Sequence, residues 1–299
     1  MKWGLIGLWV AAILFGHYRG QVRARWQKVF LDHSALLAPI NALMVLSSRV
    51  TTKPYVPLSE FPELKTLQDQ WQVFRDEALH LAAMQKIKAA ENHDDIGFNS
   101  FFKNGWKRFY LKWYEASHPS AAEWCPRSVA ILKSLPSVKA AMFAELPPGG
   151  QLNRHRDPYA GSLRFHLGLS TPNHDDCYID VDGIRHSWRD GEAVVFDETY
   201  LHEAHNRTSQ NRIILFCDIE RPVRQSWVAA LNRWFSRVVM SAASAPNDAS
   251  DTTGLINRFT IWHHVIDEKR KALKNWNRGV YRLTKYSLLT LIVLGIVYF

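Results

Sequence analysis

The sequence predicts a mainly β protein with flanking helices and a short hydrophobic helix at each end. Three observations support this prediction. Between residues 138 and 222, short strand-like segments alternate with turn residues at intervals that suit a β barrel or sandwich. On both sides of that region, apolar residues recur at helical spacing. Apolar runs also occupy residues 3–16 and 286–299 of the 299-residue chain.

Composition narrows the class of protein. The chain is long enough for one sizeable domain with extensions, and 47% of its residues are hydrophobic. A formal net charge of +9 favours an anionic partner, and 12 Trp favour a large pocket or a membrane interface. The 3 Cys lack CxxC spacing, which argues against a disulfide scaffold and a zinc-thiolate site and fits a reducing compartment.

The first apolar run predicts a membrane anchor at residues 1–18. Residues 3–16 are almost wholly apolar, and a basic cluster follows them: Arg19, Arg23, Arg25 and Lys28. The run is shorter than the roughly 20 residues that cross a bilayer comfortably. A cleaved signal peptide is the weaker interpretation, because no small-x-small cleavage site is evident and the strongest charge follows the run.

The C-terminal end has the mirror-image pattern, which predicts a membrane segment at residues 286–299. Basic residues between 269 and 285 precede this apolar run. Because both basic flanks lie toward the middle of the chain, they place the central region in the cytoplasm. The alternative is that both runs are terminal helices packed on the core.

Two segments precede the strand-rich region. Residues 64–84 have apolar residues at helical spacing and predict a helix. Residues 101–114 interleave aromatic and basic side chains, which fits either a half-buried strand or a groove for an anionic, partly apolar ligand. The strand is favoured slightly because such alternation is ordinary in half-buried strands.

Strict alternation marks the segment Ser162–Ser170. Its leucines and Phe165 fall on one face, and Arg164 and His166 fall on the other. After the β region, residues 223–285 predict a helical extension: an amphipathic helix to about Ser244, a polar linker at 244–254, and a second helix at 255–283.

A His-Arg-Asp sequence carries the first candidate metal ligands. In an extended segment residues i and i+2 point the same way, so His155 and Asp157 can reach one ion. His202 and His205 follow a later strand, and spacing lets either complete the set. Two histidines and a carboxylate can hold Fe(II) on one face and leave positions for O2 and a cosubstrate.

A second polar set is expected to face the same interior. Arg212 begins an apolar strand, where a charge that points into the barrel needs a partner. A dicarboxylate cosubstrate would bind it bidentately; the alternative is a buried salt bridge with Asp197, Asp218 or another acid. The same two interpretations apply to Arg164 and His166, and spacing leaves both open.

The stretch from residue 146 to 222 resembles the aspartyl/asparaginyl β-hydroxylase family of Fe(II)/2-oxoglutarate-dependent oxygenases. The motifs that carry the resemblance are PPGGQLNRHRD, LRFHLGLSTP, WRDGEAVVFDETYLHEAHN and NRIILFCDIERP. The resemblance implies a double-stranded β-helix (jelly-roll) core. It also implies that His155 and His202 bind iron, that Arg212 pairs with the distal carboxylate of 2-oxoglutarate, and that Arg164 and His166 make further cosubstrate contacts.

Two positions depart from the animal peptide hydroxylases of this family. Those enzymes have glycine where this chain has Asp157, and serine where it has Ala144. A complete facial triad of His155, Asp157 and His202 is therefore expected here. The oxygenase domain is placed at residues 30–222, with its β core at about 138–222, and its expected cofactors are Fe(II), 2-oxoglutarate and O2.

The whole chain resembles still more closely a membrane-associated branch of the family, the bacterial lipid A 2-hydroxylases. The motifs are HSALLAPINALM, KPYVPLSEFPEL and HRDPYAGSLRFHLGLSTPN, with short apolar termini. This resemblance implies hydroxylation at C2 of a secondary acyl chain of lipid A, on the cytoplasmic face of the bacterial inner membrane. The net positive charge fits such an anionic lipid.

Other functions stay open at this point. The same chemistry could act on another lipid, such as an aminolipid, or on Asp or Asn of a protein, and a cupin-like binding protein with an inactive centre is the non-enzyme alternative. A nucleic acid partner is not expected, because the basic charge gathers beside the apolar ends. Arg156, Lys107 and Arg108 are candidates for contact with a lipid phosphate.

Overall fold

Two antiparallel sheets form the centre of the protein, as seen in a computed structural model that describes residues 2–30, 32–90, 95–285 and 287. The predicted mainly β class with flanking helices is confirmed. The strands are β1 (Tyr55–Val56), β2 (Lys107–Trp113), β3 (Val138–Leu146), β4 (Gln151–His155), β5 (Ser162–Ser170), β6 (Cys177–Val181), β7 (Ile184–Ser187), β8 (Ala193–Phe196), β9 (His202–Asn206) and β10 (Arg212–Glu220).

The strands divide into a larger and a smaller sheet, which is the arrangement of a jelly-roll. In the part of the chain that is described, the larger sheet has the order β1-β8-β5-β10-β3-β2 and the smaller one β4-β9-β6-β7. An apolar cluster from both sheets, including Met142, Phe216 and Ile179, fills the space between them. The metal-binding candidates lie at the edge of that space.

Both faces of the larger sheet are buried, because helices cover its outer face. The leucines of β5 and residues Ile213, Leu215 and Cys217 of β10 point outward into one apolar cluster that also contains Phe74 and Leu132. Their neighbours point inward. The alternation predicted for β5 is therefore confirmed, and it directs Arg164 and His166 into the space between the sheets.

Helices precede, interrupt and follow the strands along the chain. They are α1 (Lys2–Tyr18), α2 (Trp26–Val29), α3 (His33–Leu36), α4 (Ala38–Leu46), α5 (Lys65–Asp69), α6 (Trp71–Ala83), α7 (Asn99–Phe102), α8 (Pro119–Trp124), α9 (Pro126–Lys133), α10 (Ser226–Phe235) and α11 (Leu255–Trp276). Two 3-10 turns occupy Leu58–Glu60 and Pro62–Leu64, and a π-helical segment, Ser236–Met240, follows α10. Helical backbone resumes at residues 278–285.

The N-terminal apolar run forms α1, whose two halves have different surroundings. Ala12, Ile13 and His17 are buried, and Trp9 donates a 2.8 Å hydrogen bond from Nε1 to the Ala35 carbonyl. The first turns expose their apolar side chains, with Trp3 84% exposed. Among the described residues, none of the helices combines the length and apolar character that crossing a membrane requires. The predicted segment 286–299 lies outside the described residues, apart from residue 287.

Two predicted boundaries are corrected. The β core extends beyond 138–222, because β1 pairs with β8 and β2 pairs with β3. The segment 101–114 thus contains a strand, as favoured. The predicted linker at 244–254 is a packed loop: Asn247 bonds both backbone groups of Tyr110, and Asp251 accepts from Ser120. The predicted helix at 223–244 is confirmed, because helical backbone runs from residue 226 to residue 242, with α10 followed directly by the π-helical segment.

Candidate metal centre

His155, Asp157 and His202 meet at the open edge between the two sheets. One ligand atom from each side chain lies within 4.8 Å of the others, the spacing that a single metal ion requires. The His155 Nε2 atom lies 3.6 Å from Asp157 Oδ1, and the two imidazole centroids are 4.2 Å apart. The three predicted ligands are therefore brought together.

A register shift in β4 places the first histidine. Leu152 pairs with Ala204, but His155 rather than Arg154 pairs with His202, so β4 carries one extra residue at this point. A β-bulge of this kind re-aims the side chain that follows it. Asp157 lies just beyond the strand, where its backbone N–H donates a 2.9 Å hydrogen bond to the Glu198 carbonyl. That bond fixes the loop that carries the carboxylate.

Both imidazoles are oriented by the same local hydrogen bond. His155 Nδ1 lies 2.7 Å from the Asn153 carbonyl, and His202 Nδ1 lies 2.9 Å from the Tyr200 carbonyl. A carbonyl only accepts, so each Nδ1 carries the proton and each Nε2 offers a lone pair to a metal. Burial, reinforced by the neighbouring His155, lowers the pKa of His202 to about 3. His202 is therefore a neutral ligand at neutral pH.

Asp157 is held in its ionised form. Burial raises the pKa of this carboxyl, but the Arg164 guanidinium and then the two histidines lower it, and the net pKa lies below the ordinary range. Arg164 Nη2 donates a 2.7 Å hydrogen bond to Asp157 Oδ2. The other oxygen, Oδ1, faces His155 and is free to bind a cation.

Arg164 lies at the centre of a buried carboxylate cluster. Its guanidinium contacts Asp157, Glu198 and Asp218, the last at 3.0 Å from Nε. Because one cation does not balance three carboxylates, burial and the neighbouring carboxylates raise the pKa of Glu198 well above its ordinary value, against the pull of Arg164. Tyr114 donates to the far oxygen of Asp218 at 3.1 Å. This cluster indicates that Arg164 positions Asp157; its predicted cosubstrate contact stays a prediction.

Arg212 has the opposite surroundings at the deep end of the same space. It is 2% exposed, and its Nε and Nη2 atoms have no hydrogen-bond partner among the described residues. Its guanidinium lies over the Trp188 ring, 4.4 Å from the centroid. Burial lowers the pKa of Arg212 to about 10, so the side chain is still cationic at neutral pH. The salt bridge considered for Arg212 is absent from the described residues.

His166 is the second buried side chain without a polar partner. Neither ring nitrogen has a hydrogen-bond partner within the described ranges. Its ring packs among aromatic side chains, with the Phe196 centroid at 5.0 Å and the Phe216 centroid at 5.2 Å. Burial and the nearby arginines lower its pKa well below the ordinary value, so it is neutral. A neutral imidazole can donate to a carboxylate or carbonyl oxygen of a ligand.

These groups line one cavity that connects the candidate ligands with Arg212. The cavity has a volume of about 460 Å³ when the space open to solvent is included, and its aromatic wall includes Phe98, Phe101 and Trp106. A ligand with oxygen atoms at both ends fits this lining. One end would meet the metal ligands, and the other would satisfy the unpartnered nitrogens of Arg212 and His166. The residues present therefore fit Fe(II), because of the two neutral imidazoles and one carboxylate, and fit 2-oxoglutarate.

His205, which spacing alone could not separate from His202, lies on the other face of β9. Alternation along the strand points His202 and Ala204 toward the cavity, while His205 packs on the Tyr178 ring at a centroid distance of 5.3 Å. His205 is therefore not a ligand of this centre.

Three residues near the site were not assigned to it from the sequence. Glu198 and Trp188 received no role, and Asp218 appeared only as one possible acid. Asp218 pairs in register with Arg164 across β10 and β5, which alternation along both strands indicates. Nothing local indicated Glu198, which reaches Arg164 from the turn after β8.

Two of the candidates for phosphate contact are placed elsewhere. Arg108 is 1% exposed and donates from Nε to Asp95 at 2.9 Å, so its predicted contact with a lipid phosphate is wrong. Lys107 is half-buried and pairs with Glu145 at 3.2 Å. Arg156 lies between the two metal ligands of its segment and near the end of α1.

Comparison with known proteins places these residues in a family. Residues 68–222, just over half of the chain, match the family profile described as aspartyl/asparaginyl beta-hydroxylase. An ornithine lipid ester-linked acyl 2-hydroxylase of Rhizobium tropici is 38% identical over 120 residues, which are 40% of this chain and 43% of that protein. The human aspartyl/asparaginyl beta-hydroxylase is 26% identical over 215 residues, 69% of this chain and 26% of that protein. The chain thus spans less than half the length of either relative.

Proposed function

Because the chain belongs to the aspartyl/asparaginyl β-hydroxylase family, we propose that it is an Fe(II)/2-oxoglutarate-dependent dioxygenase that hydroxylates C2 of an acyl chain of lipid A. The observation that carries the chemistry is the pairing of a His155–Asp157–His202 triad with an unpartnered Arg212 in one cavity. The non-enzyme alternative, a cupin-like binding protein with an inactive centre, does not explain why an ionised Asp157 and a buried, unpartnered Arg212 occur in the same cavity.

Each residue has a defined task in this proposal. His155 Nε2, Asp157 Oδ1 and His202 Nε2 hold the metal, and Arg164 keeps Asp157 ionised and oriented. Arg212 binds the distal carboxylate of 2-oxoglutarate, with His166 as a further donor. Bound Fe(II), 2-oxoglutarate and O2 together supply the oxidising power for an unactivated C–H bond.

The aromatic wall has a second task. Phe98, Phe101 and Trp106 pack on one another beside His155, with the Phe101 centroid 4.8 Å from the imidazole. Such a wall excludes water from the reacting centre and offers an apolar surface to a hydrocarbon. An acyl substrate suits these surroundings better than a charged peptide side chain.

Two observations support a lipid at a membrane surface. The relative at 38% identity carries a lipid acyl hydroxylase name, and the first turns of α1 expose Trp3, Leu5 and Leu8 to solvent. Exposed apolar side chains that are followed in the chain by a basic cluster, here from residue 19 to residue 28, favour binding at an anionic membrane interface. The proposed location is the bacterial inner membrane, with the catalytic domain facing the cytoplasm.

That relative also favours a second substrate, the ester-linked acyl chain of an ornithine lipid. Mass spectrometry of total lipids from cells with and without the gene distinguishes the candidates. The proposal predicts a gain of one oxygen atom in lipid A that depends on the gene. A gain confined to aminolipids would transfer the activity to that substrate.

The complementing variants make this experiment specific to the site. A gene that encodes Asp157→Ala together with His202→Ala should fail to restore the added oxygen, whereas His205→Ala should restore it. Restoration by the double variant would contradict the assigned site. An unchanged lipid profile in all strains, with wild-type turnover of 2-oxoglutarate intact, would move the substrate to a protein Asp or Asn.

A further inference from the structure

A second pocket lies beside the metal centre, between α1, α3 and α4. Its volume is about 590 Å³ when the space open to solvent is included. We call it the α1 pocket, and its apolar walls come from Ala12, Ile13, Ala35, Ala38, Ala42 and Val45. Arg156 lines it as well, and Arg156 separates the two ligands His155 and Asp157 in the chain. The α1 pocket and the metal centre therefore share one backbone segment.

Two polar groups in the α1 pocket lack partners. His17 is 3% exposed, and its Nδ1 atom has no hydrogen-bond partner among the described residues. The Nε atom of Arg156 also lacks a partner, although its Nη1 atom donates to the Gly16 carbonyl at 3.5 Å, and its guanidinium forms no ion pair with a described carboxylate. The carboxylate that lines the pocket, Asp32, instead caps α3 by accepting from the Ser34 N–H at 2.8 Å. Buried polar groups without partners point to a ligand that supplies them.

A basic groove continues from the α1 pocket. It shares Phe15, Arg19 and Val45 with the pocket and adds Arg49 and Arg224. Hydroxyl groups of Ser48, Thr51 and Thr52 also line it, and its described lining contains no Asp or Glu. Arg19 is already paired with Asp197 at 2.7 Å, which leaves Arg49 and Arg224 as the cations that face solvent. This charge pattern fits an anionic headgroup.

The apolar face of α1 connects the α1 pocket to the outside. Leu5, Leu8 and Trp9 are exposed in its first half, and Ala12, Ile13 and Gly16 line the pocket in its second half. A hydrocarbon chain that moves along this helix stays against apolar side chains from the protein surface to the pocket. A hydrocarbon chain on this path would therefore expose little of its own apolar surface to water.

We propose that the α1 pocket holds a hydrocarbon chain of the lipid substrate and that the adjoining arginines hold its anionic headgroup. This inference rests on the proposed function, because it assigns the binding of the part of the lipid that does not react. Arg156 contacts the anionic oxygens at the junction of pocket and metal centre. Holding the lipid there brings its reactive acyl chain to the triad, which raises the effective concentration of the target carbon.

Binding of a dansyl-labelled fatty acid tests the pocket without relying on turnover. The protein is the full chain loaded with Mn(II) and 2-oxoglutarate, and the readout is the rise in dansyl fluorescence. Ala42→Leu fills the pocket and should weaken binding about tenfold or more, because it displaces several methylene groups of the probe. Ala42→Ser keeps the pocket open and should bind like the wild type.

A pair of arginine variants provides a test that does not depend on repacking. Arg156→Ala should weaken binding of the fatty acid about tenfold and should leave binding of its neutral methyl ester nearly unchanged. Arg154→Ala is the matched control, because Arg154 lies only two residues away and its side chain pairs instead with Glu203 of β9 at 2.7 Å. Arg154→Ala should bind both probes like the wild type.

The basic groove is tested with the same two probes. Arg49→Ala combined with Arg224→Ala should reduce the preference for the charged probe over the methyl ester severalfold, as expected for removal of two headgroup cations. Retention of the full preference would remove the groove from the proposal.

Three outcomes would overturn the inference as a whole. The first is wild-type affinity of Ala42→Leu for the probe, and the second is an equal loss of probe affinity in Arg156→Ala and Arg154→Ala. The third is that the variants bind the probe normally and differ from the wild type only in binding to phosphatidylglycerol vesicles. The last result would assign this region to the membrane surface. Calorimetric binding of 2-oxoglutarate is measured in parallel, so that a failure of the proposed function appears there and a failure of the lipid site appears with the probes.

Discussion

Arg164 and Arg212 lie on the inner face of the same sheet but in opposite electrostatic surroundings. Arg164, near the metal ligands, contacts three buried carboxylates. Arg212, at the deep end, has unpartnered nitrogens and an aromatic ring beneath it. Burial of a charge is tolerated only when something compensates it. The protein itself compensates Arg164, whereas a ligand is required to compensate Arg212.

Substitution of Arg164 should have the largest effect on folding. Arg164→Met leaves Asp157, Glu198 and Asp218 buried without their cation, and loss of one partner of a buried ionic cluster costs about 3–5 kcal/mol. Chemical denaturation should therefore show a lower free energy of unfolding by that amount. An unchanged free energy of unfolding would mean that the carboxylates are neutral in the folded protein and that Arg164 does not hold them.

Substitution of Arg212 should separate stability from binding. Arg212→Met removes a buried charge that has no described partner, so the free energy of unfolding should stay the same or rise. Binding of 2-oxoglutarate should weaken by about 2–3 kcal/mol, or roughly 30- to 150-fold in Kd. Calorimetric titration of the metal-loaded protein measures this loss. Wild-type affinity in Arg212→Met would end the assignment of this residue to the cosubstrate.

A third buried arginine has its charge matched within the fold. Arg221 pairs with the fully buried Asp197 at 2.8 Å, and Arg19 contacts the same carboxylate. Burial raises the pKa of Asp197, but the two arginines lower it, and the net pKa lies below the ordinary 3.8. The stabilisation is therefore fully present above pH 3.8 and is lost as the pH falls through the lower folded-state pKa.

The corresponding experiment compares the wild type with Asp197→Asn. The free energy of unfolding of the wild type should fall between about pH 4 and pH 2 by on the order of 2 kcal/mol more than that of the variant. Parallel curves for the two proteins would show that Asp197 does not carry this acid dependence.

The smallest effect is expected at an exposed ion pair on the strand that carries His155. Arg154 pairs with Glu203 at 2.7 Å, with its side chain 51% exposed. Arg154→Ala should change the free energy of unfolding by less than about 1 kcal/mol, because surface pairs are screened by water. Thermal unfolding and metal binding should both resemble the wild type. A loss of metal binding would show that the bulge in β4 depends on this pair.

Much of the architecture follows from alternation along the strands. The pattern in β5 predicted which side chains face the interior, and this is confirmed: Leu163 lies in the outer apolar cluster, whereas Arg164 and His166 line the cavity between the sheets. The short strand β1 was not predicted, because two paired residues leave a weak pattern. A strand was favoured at 101–114, but its place in the β core was not predicted, because its pairing with β3 is a tertiary feature. The packed loop at 244–254 resembled a linker because it is polar. Its polar side chains in fact bond backbone groups that are distant in sequence, which composition does not indicate.

The candidate site also has features that the sequence indicated and features that it did not. The spacing of His155 and Asp157 indicated a shared ion. The resemblance favoured His202 over His205, and the alternation of side chains along β9 explains why only His202 faces the cavity. The bulge in β4 and the carboxylates around Arg164 are tertiary features. They depend on register and on the turn after β8, which sequence spacing does not contain.

Metal binding to two histidine variants distinguishes the assigned ligand His202 from its neighbour His205. Mn(II), which resists oxidation, is titrated calorimetrically into the wild type, His202→Ala and His205→Ala, with 2-oxoglutarate present. We expect one site in the wild type and in His205→Ala, and no measurable site in His202→Ala. Wild-type binding by His202→Ala, or loss of binding in His205→Ala, would contradict the assigned metal centre.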